Sequence, residues 1–373
     1  MPSRRSSRSL LLGALLAAAV AVLAVSLIAR EARTGQGPPR PVVWGYYPWW
    51  LGDQWRALEL RPYDGLRFFA IDIDDEGQLA QSNGWPQQWE HLREATRARR
   101  LPLEVTVTMF SAPRFERVFT DPGRRGRLLA ELLRLAAQAS GIHLDIEIFD
   151  PVSGAAVIGY REFCAQLRAG LGGRGPVVAL SAFGVMGAAV DLYDAATLAQ
   201  LDHIVVQGYD SHHRTSARAG PVAPLRGPFA ITWESALAHY VRLGAPRHKI
   251  VFGVPFFGYE WPAESAGVGA RALGPAREIS YAQLDANRLP GIRIGAREEA
   301  ARHGLRRDAA SGSPYYAYQE PKGGWRQGWF EDEVSLAAKL EFVQQQGLAG
   351  IAVFPVGYDD GAFDSLLRRF KGR

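Results

Sequence analysis

The chain has 373 residues, 47% of them apolar, enough to bury one large core such as a barrel of roughly 250 residues with an insertion; two small unrelated domains are the alternative. The formal net charge is +5, but the basic residues do not cluster with aromatic ones. We therefore expect no nucleic-acid partner, whereas an anionic envelope polymer is compatible with this charge. The single cysteine, Cys164, excludes an intramolecular disulfide and a cysteine-rich metal cluster.

The N-terminal segment 1–35 is predicted to be a signal peptide or a membrane anchor. Three arginines precede an uncharged, mostly apolar run over 10–29, which is long enough to span a bilayer and has no clear cleavage site. Basic residues on the short N-terminal side hold that end in the cytoplasm. We expect the rest of the chain outside the cytoplasm, anchored to the cytoplasmic membrane or secreted after cleavage. A linker over 36–41 leads into the folded part.

Eight short runs rich in β-branched and aromatic residues recur over 42–373, with helix-period segments between them. The runs begin at Val42, Leu66, Leu103, Ile142, Val177, His203, Lys249 and Gly350. This alternation predicts a parallel sheet with crossover helices, and a count of eight strands predicts a (β/α)8 barrel of the α/β class. One crossover helix is predicted to begin with Ser335 as its N-cap and to end near Gln346.

The seventh and eighth strands are separated by a segment that is too long for an ordinary βα unit. It runs over about 262–328 and contains the tyrosine-rich run SPYYAY among glycines and prolines. We predict a small inserted subdomain that lines one wall of a cleft. A disordered insertion is the alternative.

Ionisable residues occupy alternate positions of the fourth strand. His143, Asp145 and Glu147 alternate with leucine and isoleucine, so strand geometry places all three on one face. Both faces of a barrel strand are shielded from water, and two neighbouring carboxylates repel, which favours the protonated form of one of them. A carboxyl that keeps its proton near neutral pH can serve as a general acid. The alternative is a pair that binds buried arginine or a cation.

The run around Asp145 and Glu147 resembles the DxxDxDxE signature of family 18 of the glycoside hydrolases, the chitinase family. Further runs similar to those of the family begin at Trp44 (WGYYPW), Gln207 (QGYD), Lys249 (KIVFGVPFFGY), Ile279 (ISYAQL), Trp329 (WFEDEVSLAAK) and Gly350 (GIAVFP). The resemblance covers nearly everything from Val42 onward. It implies a (β/α)8 TIM barrel with a small α+β insertion between strands seven and eight.

The resemblance also implies substrate-assisted retaining catalysis that requires no metal and no organic cofactor. Glu147 would protonate the departing glycosidic oxygen and later activate water. Asp145 would orient the 2-acetamido group of the substrate, whose carbonyl attacks the anomeric carbon. Tyr209 would hydrogen-bond the same group. These three residues are the predicted catalytic residues.

Six further residues are predicted to bind substrate. They are Tyr46, His143, Gln207, Asp210, Trp261 and Phe354. Tyr46 and Trp261 stand near strand ends that face a barrel active site, where flat rings stack on sugars. Three positions depart from the family pattern, because Ser140 and His143 replace aspartates and Phe354 replaces a tryptophan. A neutral imidazole at His143 can still hydrogen-bond Asp145, so the departures bear on turnover rate and pH optimum more than on reaction type.

The implied activity is hydrolysis of a polysaccharide that contains β-1,4-linked N-acetylglucosamine. The run GPVAP from Gly220 is similar to the branch of spore-cortex peptidoglycan hydrolases and related chitinase-like proteins, so the expected polymer is peptidoglycan glycan or chitin-like. The alternatives are a non-catalytic carbohydrate-binding lectin of the cell envelope and a hydrolase of another exopolysaccharide. We expect a monomer whose partners are this saccharide and, through the N-terminal segment, the membrane.

Overall fold

The computed structural model describes residues 40–172, 178–285, 288–289 and 291–372. The predicted signal or anchor segment and most of its linker lie outside the described residues. Among the residues that are described, no helix combines the length and the apolar character needed to cross a bilayer.

Eight parallel strands close into a barrel, as the sequence predicts. They are β1 (Val42–Pro48), β2 (Gly65–Asp72), β3 (Leu103–Met109), β4 (Gly141–Ile146), β5 (Ala179–Gly184), β6 (His203–Val206), β7 (Ile250–Pro255) and, after the insertion, β13 (Gly350–Phe354). The order around the barrel is β1-β2-β3-β4-β5-β6-β7-β13, and β13 pairs with β1 to close it. Each strand therefore lies beside its neighbours in sequence, which places all carboxyl-terminal strand ends at one face.

Helices lie between the barrel strands, within the insertion and after the last barrel strand. Those described are α1 (Glu90–Ala98), α2 (Ala112–Thr120), α3 (Pro122–Ala136), α4 (Gly154–Leu171), α5 (Ala195–Gln200), α6 (Trp233–Arg242), α7 (Ala296–His303), α8 (Glu333–Gln345) and α9 (Asp364–Lys371), with short 3-10 segments at Trp49–Ala57, Gln87–Trp89 and Arg247–Lys249. Ser111, Asp121 and Ser153 cap α2, α3 and α4 through their side-chain oxygens, which accept the free N–H groups of the first turn.

The predicted start of α8 is wrong by three residues. Asp332 is the N-cap, because its carboxylate accepts the backbone N–H of Ser335 at 2.9 Å while the Ser335 hydroxyl oxygen accepts the N–H of Asp332 at 3.0 Å. Ser335 is thus the third helical residue of a capping box. An aspartate three residues ahead of a serine offers a stronger cap than the serine alone, and the helix begins earlier.

An antiparallel sheet follows β7 directly. Its strands are β8 (Phe257–Ala263), β9 (Arg277–Ser280), β10 (Arg306–Arg307), β11 (Pro314–Gln319) and β12 (Trp325–Trp329), in the order β10-β11-β12-β8-β9. One residue, Phe256, separates β7 from β8, so the sheet rises from the carboxyl-terminal face of the barrel. It begins five residues before the segment that we predicted as the insertion and ends one residue after it.

Close packing fixes the chain just after β6. Trp233 stacks on Phe252 with ring centroids 4.3 Å apart, and its indole N–H donates to the carbonyl oxygen of Gly208 at 2.8 Å. A Cβ atom at Gly208 would lie 2.2 Å from the carbonyl oxygen of Gly253, so glycine is required for this approach. The run that carries Tyr209 and Asp210 is therefore held against β7.

Candidate active site

A cavity of about 190 Å³ opens at the carboxyl-terminal face of the barrel. Its lining comes from five barrel strands, from the residues just after β4 and β6, and from the inserted sheet. The lining residues are Tyr46, Phe69, Asp145, Glu147, Phe183, Tyr209, Asp210, Phe257, Tyr259, Glu278 and Phe354. Within the part of the chain that the structure describes, this lining contains four carboxyl groups, three tyrosines and four phenylalanines but no lysine, arginine or histidine. The cavity therefore offers acids and flat rings to a bound molecule.

Asp145 and Glu147 lie together in this cavity. Asp145 is the next-to-last residue of β4, and Glu147 follows the strand end, where its backbone N–H still donates to the carbonyl oxygen of Met109 at 3.0 Å. Burial raises the pKa of Asp145 well above its ordinary value, and the neighbouring carboxylate of Glu147 raises it further. Burial and the nearby Asp210 raise the pKa of Glu147 to about 7. Near neutral pH this pair therefore retains a proton.

Asp210 brings a third carboxyl into the same cavity. It follows β6 with φ +61°, a left-handed conformation that aspartate adopts more readily than most residues. Burial raises the pKa of Asp210 to about 6, although a hydrogen bond from the Tyr259 hydroxyl at 3.3 Å opposes the shift. We call Asp145, Glu147 and Asp210 the acid layer.

Aromatic rings form the floor of the cavity around Phe354. Its ring centroid lies 5.3 Å from Phe69, 5.8 Å from Tyr46 and 6.4 Å from Tyr209, whose ring is nearly parallel to it. Phe354 thus presents an apolar ring to the cavity, while its predicted contact with substrate stays a prediction. A bound pyranose ring would meet carbon atoms on this side and carboxyl groups on the other.

Polar side chains deeper in the barrel are paired with one another. Arg67 Nε donates to Glu104 Oε2 at 2.7 Å, and the Ser181 hydroxyl donates to the same oxygen at 2.7 Å. His143 Nδ1 lies 2.8 Å from Ser181 Oγ, and His143 Nε2 lies 2.8 Å from the Tyr46 hydroxyl. We call Arg67, Glu104, Ser181 and His143 the inner network, and all four are completely buried.

Six of the nine predicted site residues line the cavity. They are Tyr46, Asp145, Glu147, Tyr209, Asp210 and Phe354. Their roles stay predictions, but the structure brings them together.

Three predicted substrate contacts lie away from the cavity. Trp261 is completely buried within the inserted sheet and is not among the cavity-lining residues, so its role as a sugar platform stays a prediction. The Gln207 side-chain oxygen accepts the backbone N–H of Met186 at 3.0 Å, which makes it a support for the loop after β5. His143 is completely buried below the cavity, and both ring nitrogens contact residues other than Asp145. Direct substrate contact by Gln207 and His143 stays a prediction, since neither residue is among those that line the cavity.

Several residues at this face were not predicted from the sequence. Phe69, Phe183, Phe257, Tyr259 and Glu278 line the cavity, and the last three come from the inserted sheet. Tyr259 lies two residues before Trp261 on β8. The ring that reaches the cavity is therefore that of Tyr259, on the same strand as the predicted Trp261.

Three aromatic side chains are exposed just beyond the ends of barrel strands. Trp49 follows β1, Phe110 follows β3 and Phe149 stands three residues after β4, with 43%, 56% and 49% of their surface exposed. An aromatic residue within three positions after a buried strand is the signal that identifies them.

No group of three or more His, Cys, Asp or Glu side chains within the described ranges is arranged to hold a metal ion.

A comparison with protein families matches residues 43–359 to the model for glycosyl hydrolases family 18. Among curated proteins, the chain is 24% identical over 323 residues to the cortical fragment-lytic enzyme of Bacillus subtilis, across 82% of this chain and 67% of that protein. It is 26% identical over 170 residues to the di-N-acetylchitobiase of Rattus norvegicus, across 45% of this chain. The chain spans only 46% of the length of that chitobiase.

Solved structures share the fold. The crystal structure of class V chitinase from Nicotiana tobaccum superimposes with a TM-score of 0.75 at 19% sequence identity, over 90% of this chain and 99% of that one. At this identity the likeness establishes the architecture of the barrel and its insertion.

Proposed function

The chain belongs to family 18 of the glycosyl hydrolases, and from that membership we propose that it cleaves a polysaccharide containing β-1,4-linked N-acetylglucosamine by substrate-assisted, retaining catalysis. The single observation that carries the proposal is the position of Asp145 and Glu147, side by side in an open cavity that no cationic side chain lines.

Arg67, the buried arginine of the inner network, does not form a salt bridge with either of these two carboxyl groups. Arg67 is fully buried, and its ion pair is with Glu104 at 2.7 Å. Two buried carboxyl groups held without a cation destabilise the fold, so their presence indicates that they are retained for chemistry. This contrast supports a catalytic role.

In the first step, Glu147 donates its proton to the glycosidic oxygen as the bond to the anomeric carbon breaks. The acetamido carbonyl oxygen of the same sugar attacks that carbon and forms a cyclic oxazolinium ion. Asp145 holds the acetamido N–H and balances the developing positive charge. The raised pKa of Glu147, about 7, supports its role as the acid, since the proton is present at neutral pH.

In the second step, Glu147 as a carboxylate takes a proton from water, which attacks the anomeric carbon and opens the ring of the intermediate. Two inversions at one carbon give net retention. Tyr209 hydrogen-bonds the acetamido carbonyl, and Asp210 contacts the sugar beside Glu147. Phe354 and Phe69 provide the apolar floor.

We propose peptidoglycan glycan or a chitin-like polymer as the substrate. The relatives whose names include cortical fragment-lytic enzyme and di-N-acetylchitobiase support a substrate with N-acetylglucosamine. Exposed Trp49, Phe110 and Phe149 around the cavity support binding of a chain longer than one sugar, because flat rings stack on successive pyranoses.

We further propose that the protein is exported and held at the outer surface of the cytoplasmic membrane. The support is in the sequence alone, where three arginines precede the apolar run 10–29. An enzyme for an envelope polymer would need this location.

A non-catalytic lectin is the second candidate. The observation that favours it is the inner network, in which His143 stands where the family signature has an acid and both of its ring nitrogens have partners other than Asp145. A lectin would keep the cavity and its aromatic floor without turnover.

The test measures reducing ends released from chitooligosaccharides and from purified peptidoglycan, for the parent and for Glu147→Gln, between pH 4 and 8. We expect release by the parent and a loss of roughly 100-fold to 10,000-fold in the variant, as for removal of a general acid. Binding without turnover in both proteins would contradict the enzyme proposal and support the lectin.

A further inference from the structure

The inner network ends at a residue of the cavity. Tyr46 is 3% exposed, lines the cavity with its ring, and contacts His143 through its hydroxyl. A continuous series of hydrogen bonds therefore runs from the Glu104 carboxylate through Ser181 and His143 to Tyr46.

Chemistry fixes the direction of every proton in this series. Glu104 forms an ion pair with Arg67, and an ionised carboxylate can only accept. Ser181 must therefore donate to Glu104, so its oxygen is left to accept from His143 Nδ1. The neutral imidazole then carries its hydrogen on Nδ1, and Nε2 can only accept from the Tyr46 hydroxyl.

The surroundings of His143 disfavour its charged form. Burial, the cation of Arg67 and the neighbouring His203 all lower the pKa of His143 well below its ordinary value. The titratable groups facing it are Tyr46 on β1, Arg67 on β2, Glu104 on β3, Asp145 on its own strand and His203 on β6.

We propose that Glu104, Ser181 and His143 act as positioning residues that turn the Tyr46 hydroxyl hydrogen away from the cavity. Because its hydrogen is donated to His143, the Tyr46 oxygen can only accept a hydrogen bond from a group that reaches it from the cavity. This inference rests on the proposed function for its catalytic meaning, but the proton arrangement itself does not depend on activity.

The arrangement replaces a hydrogen bond that the sequence suggested. Both ring nitrogens of His143 have partners, so neither is free for Asp145. Tyr46 is the residue through which the inner network reaches the cavity. Glu104, on the strand next to β4, thereby sets whether the Tyr46 hydroxyl accepts or donates a hydrogen bond on the cavity side.

The test is nitrogen-15 NMR of histidine-labelled full-chain protein in detergent micelles, with the His143 signals identified by their loss in His143→Gln. We expect the neutral Nδ1–H tautomer, unchanged between pH 5 and 8. The Nε2–H tautomer, or an imidazole that titrates in this range, would overturn the proposal whether or not the protein hydrolyses any polymer.

Ser181→Ala removes the acceptor for Nδ1–H and should shift His143 toward the other tautomer. On a substrate that the parent cleaves, kcat should fall about tenfold with little change in KM, as for loss of one buried hydrogen bond. Ser181→Thr, which keeps the hydroxyl, should restore both readouts.

Thr106→Val is the matched control. Thr106 pairs with His143 in the strand register, is equally buried, and makes no side-chain hydrogen bond within the described structure. It should leave the tautomer and kcat unchanged. Equal effects of Ser181→Ala and Thr106→Val would overturn the proposal.

Discussion

The acid layer and the inner network are two solutions to the same problem, a charged group inside a barrel. In the inner network, Glu104 has a guanidinium and a hydroxyl on one oxygen, at 2.7 Å each. In the acid layer, Asp145 is almost as buried but is surrounded by carboxyl groups and aromatic rings. Burial of an ion is tolerated in the first case because it is paired, and in the second case because a proton neutralises it.

The difference separates stability from chemistry. Paired charges such as Arg67 and Glu104 keep fixed protonation states and link neighbouring strands. Carboxyl groups without a cation have pKa values near neutrality, so they can release and take up protons during a reaction. The two layers lie on the same strand, β4, two residues apart, at His143 and Asp145.

The largest expected effect breaks the inner network. Glu104→Ala leaves Arg67 buried without its partner and should lower the free energy of unfolding by about 3–5 kcal/mol, measured by urea denaturation. The double variant Arg67→Met/Glu104→Leu removes both charges and should recover most of the loss. A single variant as stable as the parent would show that the ion pair does not brace the barrel.

The pH dependence of activity tests the acid layer. Glu147 must be protonated to act as the acid, so kcat/KM should fall above an apparent pKa near 7, by about tenfold per pH unit. The apparent value belongs to the coupled Asp145 and Glu147 pair. A rate that is constant from pH 6 to 9 would contradict Glu147 as the acid.

The acid layer should also reduce stability. The pKa of Glu147 is raised from 4.5 to about 7, so the folded protein binds more protons than the unfolded chain between these values, and stability falls as the pH rises through this window. Glu147→Gln should therefore stabilise the protein by about 1–2 kcal/mol at pH 8, after allowance for solvent in the open cavity, and change little at pH 4. Thermal unfolding at both pH values measures this. If Glu147→Gln instead destabilised the protein at pH 8, Glu147 would be a charge that stabilises the fold, like Glu104 of the inner network.

The smallest expected effect concerns the exposed rings. Phe149→Ala should raise KM for a long oligosaccharide about fivefold, as expected for loss of one stacking contact of about 1 kcal/mol, with kcat unchanged. Ile158→Ala is the control, because Ile158 is 58% exposed on α4, away from the strand ends. The same KM change in both variants would argue against a sugar platform.

Alternation of charged and apolar residues was sufficient to predict the position of Asp145 and Glu147. The alternation of faces along a strand depends only on local geometry, and in the structure both side chains line the same cavity. The eight strands were predictable for the same reason, since each coincides with a short apolar run in the sequence.

The partners of buried residues were not predictable. Ser181 and Glu104 are 77 residues apart and look like ordinary strand residues until the barrel closes. The burial of Trp261 was not predictable either, since it depends on the pairing of β8 with β12 across the insertion. Such contacts are set by tertiary packing and leave no periodic pattern.

The most direct test of the account is proton NMR of the first product released from a chitooligosaccharide or peptidoglycan fragment that the protein cleaves. Acetamido attack followed by water, with Glu147 as acid and then base, predicts the β-anomer first and the α-anomer only later by mutarotation. Initial release of the α-anomer would mean direct attack by water and would contradict the role assigned to the acid layer.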